Sequence, residues 1–152
     1  MRAKETLSAS LEDYLEAIYH ITAEKKAARA RDISLRLKVN SSSVTGALRA
    51  LAGRKLVNYA PYDVITLTSK GKRIAKDIVR RHRALSDFFV KVLSVEKKIA
   101  DEGACKMEHA LPHEILDRLV EFVEFAETSR DKGTARLKGF APQHRNHRPE
   151  KK

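Results

Sequence analysis

The 152-residue chain has no tryptophan, one cysteine and only six glycines. A single cysteine cannot form a disulfide within the chain, so we expect a reducing, cytoplasmic location. The sequence contains no apolar run long enough to cross a bilayer and no signal-peptide core, so we expect no membrane association. Few glycines are typical of a mainly helical protein. The length corresponds to one ordinary domain or two very small ones.

The chain also has fewer acidic than basic residues. Thirty-one lysines and arginines stand against 20 acidic residues, and the net charge is +11. Such a surplus indicates a polyanionic partner, and nucleic acid is the first expectation. An anionic membrane surface is one alternative. A lysine content that serves only solubility is the other.

The first half of the chain contains two short helical patterns joined by a tight turn. The first covers residues 31–37, and the second runs from an N-cap at Ser41 or Ser42 to about residue 54. The second helix is expected to bury one stripe, formed by Val44, Leu48 and Leu51. A preceding helix carries apolar residues at helical spacing, and the pair Ser10 and Asp13 predicts its N-terminus.

Two β-prone segments follow, at residues 56–59 and 64–67, and they flank a turn at residues 60–63. This pattern predicts a hairpin. A hairpin directly after two such helices is typical of a winged helix-turn-helix that binds DNA. A helix pair and hairpin that bind another protein are the alternative, which the basic charge disfavours.

The exposed face of the second short helix is the predicted DNA-reading surface. Hydroxyls and free backbone N–H groups at a helix N-terminus bind phosphate, and their neighbours reach base edges. Flanking lysines suit phosphate contacts. The predicted DNA-binding residues are Ser41, Ser42, Ser43, Thr45, Gly46, Arg49, Lys55 and Lys70.

The five residues 105–109 combine a thiol, a carboxylate and an imidazole. On a helix, Cys105, Glu108 and His109 share one face, because they stand at positions i, i+3 and i+4. All three side chains are common metal ligands. An apolar core cysteine beside a solvated Glu–His pair is the alternative.

Other candidate ligands lie on two more predicted helices. Asp13 and Glu16 share a face of the first helix, although acidic residues there also suit the helix dipole. A long helix capped by Thr68 or Ser69 runs towards residue 93 and carries His82 among arginines. Cationic neighbours disfavour protonation of an imidazole and so leave its lone pair for a metal. A surface or core histidine without a ligand role is the alternative.

The last predicted helix follows Pro112 and is rich in apolar residues between positions 115 and 125. It has more apolar surface than a terminal helix needs, which indicates packing against a second subunit. Closure of the monomer core is the alternative. Residues 128–152 are strongly basic with little apolar periodicity, so we expect a disordered tail that adds non-specific DNA affinity.

A winged helix, then a histidine on a long helix, then Cys-x-x-Glu-His resembles the diphtheria toxin repressor family. These are metal-activated bacterial and archaeal transcription regulators with iron-dependent and manganese-dependent branches. The resemblance covers residues 10–127. It is strongest in five segments, which are residues 12–19, 42–45, 67–71, 81–82 and 105–109.

The resemblance implies a hybrid metal site. Its ligands would be Asp13, Glu16, His82, Cys105, Glu108 and His109. The two carboxylates of the first helix match the manganese branch, the cysteine matches the iron branch, and the remaining three match both. The implied cofactor is Mn(II) or Fe(II), with one or two ions per subunit. Ser86 and Asp101 replace the glutamate and histidine of the iron-type second site, so that site is not expected.

The expected fold is mainly α. Residues 1–73 would form a winged helix-turn-helix DNA-binding domain, and residues 74–127 a helical metal-binding and dimerisation domain. The resemblance implies the short architecture without an SH3-like third domain. It also implies a homodimeric, metal-activated repressor of metal-homeostasis genes that binds a palindromic DNA operator and is not an enzyme. A metal-independent winged-helix architectural protein is the alternative. A metallohydrolase is disfavoured, because the six candidate ligands leave little room for a substrate and no second catalytic set is evident.

Overall fold

The computed structural model describes residues 7–130, which form six helices and one two-stranded antiparallel sheet. The expectation of a mainly α fold with an amino-terminal winged helix-turn-helix is confirmed. In chain order the elements are α1 (Ala9–Lys25), α2 (Ala30–Leu37), α3 (Ser41–Gly53), β1 (Val57–Asn58), β2 (Thr66–Leu67), α4 (Ser69–Lys91), α5 (Lys97–Ala110) and α6 (His113–Arg130).

The chain divides into two compact units between Arg80 and Arg81, inside α4. The sequence placed the boundary near residue 73. Because α4 is one continuous helix through both positions, the domain boundary remains a prediction. Most of the predicted basic tail lies outside the described residues, but residues 128–130 belong to α6. Within residues 7–130, no helix is both long and apolar enough to cross a membrane.

The first unit has its core between α1, α2, α3 and the hairpin. α1 is capped by Ser8, whose hydroxyl accepts the N–H of Leu11 at 3.3 Å. The predicted cap at Ser10 was therefore wrong, because the extended residue that precedes the first turn is Ser8. The α1 residues Leu15, Ile18 and Ile21 are buried in this core.

Asp32 connects the end of α1 to the start of α2. Its carboxylate accepts the Arg29 backbone N–H at 3.1 Å and the Lys25 ammonium at 2.8 Å. The hydrogen bond from Lys25 is the main cause that holds the pKa of Asp32 below its usual value. Lys26 lies between the two helices in a left-handed conformation, with φ of 67°, which ends α1.

α3 begins one or two residues earlier than a cap at Ser41 or Ser42 requires. Asn40 is the N-cap, and its side-chain oxygen accepts the Ser43 N–H and the Ser42 hydroxyl, both at 2.8 Å. Ser41 and Ser42 are therefore helical residues, and the prediction of a serine cap was wrong. The predicted buried stripe is confirmed, since Val44, Leu48 and Leu51 are fully buried.

The hairpin is shorter than its sequence pattern predicts. β1 and β2 pair Val57 with Leu67 and Asn58 with Thr66. Ile65 lies just before β2, and its backbone pairs with Ala28, with N–O distances of 2.7 and 2.9 Å. The connection between α1 and α2 thus adds a third backbone segment beside the hairpin. Tyr62 lies fully exposed in the turn of the hairpin, with φ of 65°.

The second unit has its own core, formed between α4, α5 and α6. It contains Leu85, Ala104, Leu116, Val120 and Val123, which are fully buried. α6 begins just after Pro112, whose carbonyl accepts the Leu116 N–H at 3.0 Å. The outer side of α6 leaves Ile115, Phe122 and Phe125 more than half exposed, at 54%, 57% and 68%.

The N-terminus of α4 requires a residue without a side chain at position 71. Thr68, one of the two predicted caps, accepts the Gly71 N–H at 3.0 Å. The Leu56 carbonyl accepts the Thr68 N–H at 3.0 Å, and a β-carbon at Gly71 would overlap that carbonyl. The hairpin and α4 are therefore packed backbone to backbone at this point.

Gly71→Ala is expected to lower the free energy of unfolding by about 1–3 kcal/mol, because the added methyl group must displace backbone atoms. Gly46→Ala is the matched control, since nothing lies within 4 Å of a β-carbon there. The control should gain about 0.5–1 kcal/mol from higher helix propensity. Urea unfolding followed by circular dichroism measures both. Equal stability of the two variants would contradict the close packing at position 71.

Candidate functional site

The second unit contains a buried carboxylate that belongs to Glu108 on α5. The residue is only 5% exposed. Within residues 7–130, neither of its carboxylate oxygens receives a hydrogen bond. A buried carboxylate is costly unless a cation or hydrogen-bond donors neutralise it. A positive charge close to the Glu108 carboxylate would offset this cost.

Two imidazoles stand on either side of this carboxylate. His82 on α4 places Nδ1 3.5 Å from Oε2, and His109 places Nε2 3.7 Å from Oε1. These separations exceed an ordinary hydrogen bond. Two ligand atoms bound to one ion at about 2.1 Å lie roughly 3–3.5 Å apart at common coordination angles. The spacing therefore suits a shared cation better than direct hydrogen bonds.

Cys105 adds a sulfur donor on the same face of α5. Its thiol is half-buried and forms no disulfide, and Sγ lies within 4.8 Å of a ring nitrogen of His109. Carboxylate, imidazole and thiolate groups together form the donor set of a divalent transition metal. The residues Cys105, Glu108, His109 and His82 therefore fit such an ion.

The remaining two predicted ligands lie in the first unit, on α1. Asp13 and Glu16 are both half-buried and three residues apart, so they share a helix face. His20, to which the sequence assigned no role, places Nε2 3.5 Å from the Glu16 carboxylate.

Ser86 and Asp101 are joined by a lysine that the sequence reading did not single out. The buried Ser86 hydroxyl donates to Asp101 Oδ1 at 2.5 Å, and the Lys97 ammonium lies 2.8 Å from the same oxygen. The hydrogen bond from Lys97, followed by that from Ser86, holds the pKa of Asp101 below its usual value. The i, i+4 spacing of Lys97 and Asp101 was the available signal.

The predicted DNA-reading helix is largely exposed along the chosen face. Ser41, Ser42, Ser43, Gly46 and Arg49 are all exposed. Thr45 is half-buried, and its hydroxyl donates to the Ser41 carbonyl at 3.0 Å. Of the two predicted lysines, Lys55 is exposed and left-handed (φ 58°), and Lys70 lies 3.4 Å from the Arg54 carbonyl.

A groove of about 490 Å³ opens between α3, the start of α2 and the hairpin. It adds candidate DNA-contacting residues that the sequence reading missed, namely Arg29, Tyr59 and Tyr62, beside the predicted Arg49. Guanidinium and tyrosine hydroxyl groups are frequent donors to phosphate oxygens. One acidic residue, Asp63, also lines the groove, and its carboxylate accepts the Val64 N–H at 2.7 Å. No sequence motif marks Arg29, because only the fold brings it to the hairpin.

The chain matches two family models that together span most of its length. Residues 6–65 match the iron-dependent repressor N-terminal DNA-binding domain. Residues 68–135 match the iron-dependent repressor metal-binding and dimerisation domain. The first model therefore covers most of the winged helix-turn-helix, and the second covers α4, α5 and α6.

Curated relatives agree with these matches. An uncharacterized HTH-type transcriptional regulator of Methanocaldococcus jannaschii is 42% identical over 119 residues, which are 78% of this chain and 95% of the relative. The HTH-type transcriptional regulator MntR of Bacillus subtilis is 36% identical over 118 residues, covering 78% of this chain and 82% of that protein. These relatives are transcriptional regulators and not enzymes.

Two solved structures show the same fold. The crystal structure of T. acidophilum IdeR superposes with a TM-score of 0.62 at 29% identity, over 72% of this chain and 52% of that one. A manganese-dependent transcriptional repressor in complex with manganese gives a TM-score of 0.63 at 30% identity, over 76% of this chain and 53% of that one. The matched region is about half the length of these two proteins.

The environment of Glu108 predicts a stability effect without any metal. In the presence of a chelator, Glu108→Gln should raise the free energy of unfolding by about 1–3 kcal/mol, because an uncharged amide is cheaper to bury and can donate to the imidazoles. Urea unfolding in chelator measures the effect. Glu102→Gln, at an exposed position on the same helix, should change stability by less than about 0.5 kcal/mol. A clear loss of stability in Glu108→Gln would show that the carboxylate is already neutralised.

Proposed function

Since the chain belongs to the iron-dependent repressor family of metal-dependent DNA-binding regulators, we propose that it is a metal-activated repressor that binds a palindromic operator as a homodimer. The single observation that carries the metal dependence is the Glu108 carboxylate, buried between His82 and His109 without a hydrogen bond from residues 7–130. Control of metal-ion homeostasis genes is the proposed role in the cell.

We assign the metal ligands to His82, Cys105, Glu108 and His109 of the second unit, together with the α1 carboxylates. When bound, the ion supplies the positive charge that the Glu108 carboxylate requires. His82 and His109 would donate neutral ring nitrogens to it, and Cys105 a thiolate. The assignment of Asp13 and Glu16 rests on the sequence resemblance.

The donor set bears on the identity of the metal. Carboxylates and imidazoles suit Mn(II) and Fe(II), whereas a thiolate favours the later and softer ions. We propose Mn(II) or Fe(II) as the physiological ion, bound as one or two ions per subunit. Cys105 is the residue that would shift preference away from Mn(II).

Dimer formation is assigned to α6. Its exposed apolar residues Ile115, Phe122 and Phe125 stand at spacings of seven and three, so they share one helix face. A row of large apolar side chains is typical of a surface that packs against a second subunit. Two copies of α3 could then contact half-sites about one DNA turn apart, which is why the operator is proposed to be palindromic.

Contacts with DNA are assigned to the exposed face of α3 and to the groove beside it. The side chains of Ser41, Ser42 and Ser43 would lie at the entry of the major groove with the free N–H groups of the helix start. Arg49 and Arg29 would neutralise phosphates. Metal can activate binding only through a higher affinity for the DNA-competent arrangement than for others.

The central test is the metal dependence of DNA binding. A DNA duplex is first selected from a random pool with wild-type protein and Mn(II). Glu108→Gln is then expected to lose the Mn(II)-stimulated increase in affinity for this duplex, measured by fluorescence anisotropy, while keeping its helical content and its dimer mass. The control Glu102→Gln should keep the full response. Mn(II)-stimulated binding of Glu108→Gln at the wild-type level would remove Glu108 from the metal site.

The assignment of Arg49 to a phosphate contact predicts how the affinity for DNA depends on salt concentration. Arg49→Ala should weaken binding to the selected duplex and reduce the slope of log affinity against log salt by about 1, because one phosphate contact is lost. Arg36→Ala is the control, since its guanidinium is already paired with Glu24 at 3.2 Å and is not among the residues that line the groove. An equal slope in wild type and Arg49→Ala would place Arg49 away from the phosphates.

A further inference from the structure

A pocket of about 250 Å³ lies in the first unit, between α1, β2 and the first turn of α4. It shares no lining residue with the larger groove beside α3. Of the seven described residues that line this pocket, two are lysines, three carry hydroxyl groups and none is acidic. A concave site with cations, hydroxyl groups and no carboxylate fits an oxyanion.

Lys26 is the more informative of the two lysines, because its backbone is left-handed, with φ of 67°. Glycine adopts this conformation without a steric cost, whereas a lysine there keeps its ammonium group despite that cost. A cation at the end of α1 also suits the helix dipole. Lys25 already supplies such a cation, and its ammonium is bound to Asp32 at 2.8 Å. Lys26 therefore adds a second positive charge at this helix end, and its side chain lines the pocket.

Two further donors come from β2 and α4. The Thr66 hydroxyl accepts the Asn58 side-chain N–H at 3.0 Å, so its own proton remains available to donate. The Thr22 hydroxyl, in contrast, already donates to the Tyr19 carbonyl at 3.0 Å. Lys72 is exposed and stands in the first turn of α4, at the positive end of that helix dipole. The pocket thus combines two ammonium groups with one hydroxyl donor.

We propose that this pocket binds a phosphate group, with Lys26, Lys72 and the Thr66 hydroxyl as its donors. Phosphate oxygens accept several hydrogen bonds at once, and those from ammonium groups are strengthened by charge. The phosphate group belongs either to a free phosphate ester or to the DNA backbone, since both present the same kind of oxygen. None of the proposed metal ligands lines the pocket, so this site goes beyond the proposed metal response.

The test uses inorganic phosphate, titrated into metal-stripped full-length protein at constant ionic strength. ¹H–¹⁵N NMR spectra should show saturable shifts at the backbone amides of Lys26, Thr66 and Lys72. Lys26→Gly and Lys72→Met should each weaken phosphate binding about 3–10-fold, because each removes one charged donor. Glycine suits the left-handed backbone at position 26, so Lys26→Gly should keep the fold.

Two controls match these variants in charge. Lys38→Gly replaces another exposed lysine at a left-handed helix end, with φ of 55°. Lys76→Met removes an exposed lysine one helical turn after Lys72. Neither Lys38 nor Lys76 lines the pocket, so both controls should bind phosphate with wild-type affinity. Equal weakening by all four substitutions would show a general effect of net charge and would overturn the site.

Binding to the selected duplex distinguishes the two sources of the phosphate group. If the DNA backbone fills the pocket, Lys26→Gly and Lys72→Met should each reduce the slope of log affinity against log salt by about 1. An unchanged slope together with saturable phosphate binding assigns the pocket to a free phosphate ester. Wild-type protein that shows no saturable phosphate binding, or shifts spread over its whole basic surface, would overturn the site. The phosphate titration contains neither metal nor DNA, so its result is independent of the proposed repressor function.

Discussion

Burial of the Glu108 carboxylate is the constraint on which the second unit depends. The residue is only 5% exposed, and α4 and α5 bring two imidazoles to within 3.7 Å of its oxygens. The enclosure is unfavourable for an isolated anion, since an unpaired buried charge costs several kcal/mol by order of magnitude. A cation bound beside such a carboxylate offsets this cost. Because the ion binds the folded state, its binding also stabilises the fold.

The two units differ in where their charged and polar side chains lie relative to the apolar core. In the first unit the core cluster is apolar, although Glu12 of this unit is also buried, and Lys25 and Asp32 form a partly exposed ion pair outside that cluster. In the second unit the apolar core lies beside a set of polar side chains on α4 and α5. The polar side chains of this unit are thus separate from the residues that form its apolar core. Substitutions such as Glu108→Gln can therefore change the polar set and leave the packing of the apolar core unchanged.

Helices were predictable because their signals are local. The spacing of Val44, Leu48 and Leu51 identified the buried face of α3, and Thr68 identified the start of α4. Cap residues were less predictable, since several hydroxyl and amide side chains near a helix start can all accept the same N–H groups. Ser8 and Asn40 are the caps because the backbone is extended at these residues, directly before the first turn of each helix. The prediction made the hairpin strands too long, and it missed the pairing of Ile65 with Ala28, since such a distant partner leaves no local pattern.

The sequence alone determined the family, the mainly helical class and the cluster Cys105, Glu108 and His109, because their spacing on one helix face follows from helical geometry. Only the tertiary structure decided which groups surround that cluster. It placed His82 of α4 beside Glu108 of α5, and it joined Ser86, Lys97 and Asp101 across the same two helices. It also brought Arg29 to the hairpin groove. Contacts between distant elements depend on how the helices pack, and packing is set by the whole core and not by any short pattern.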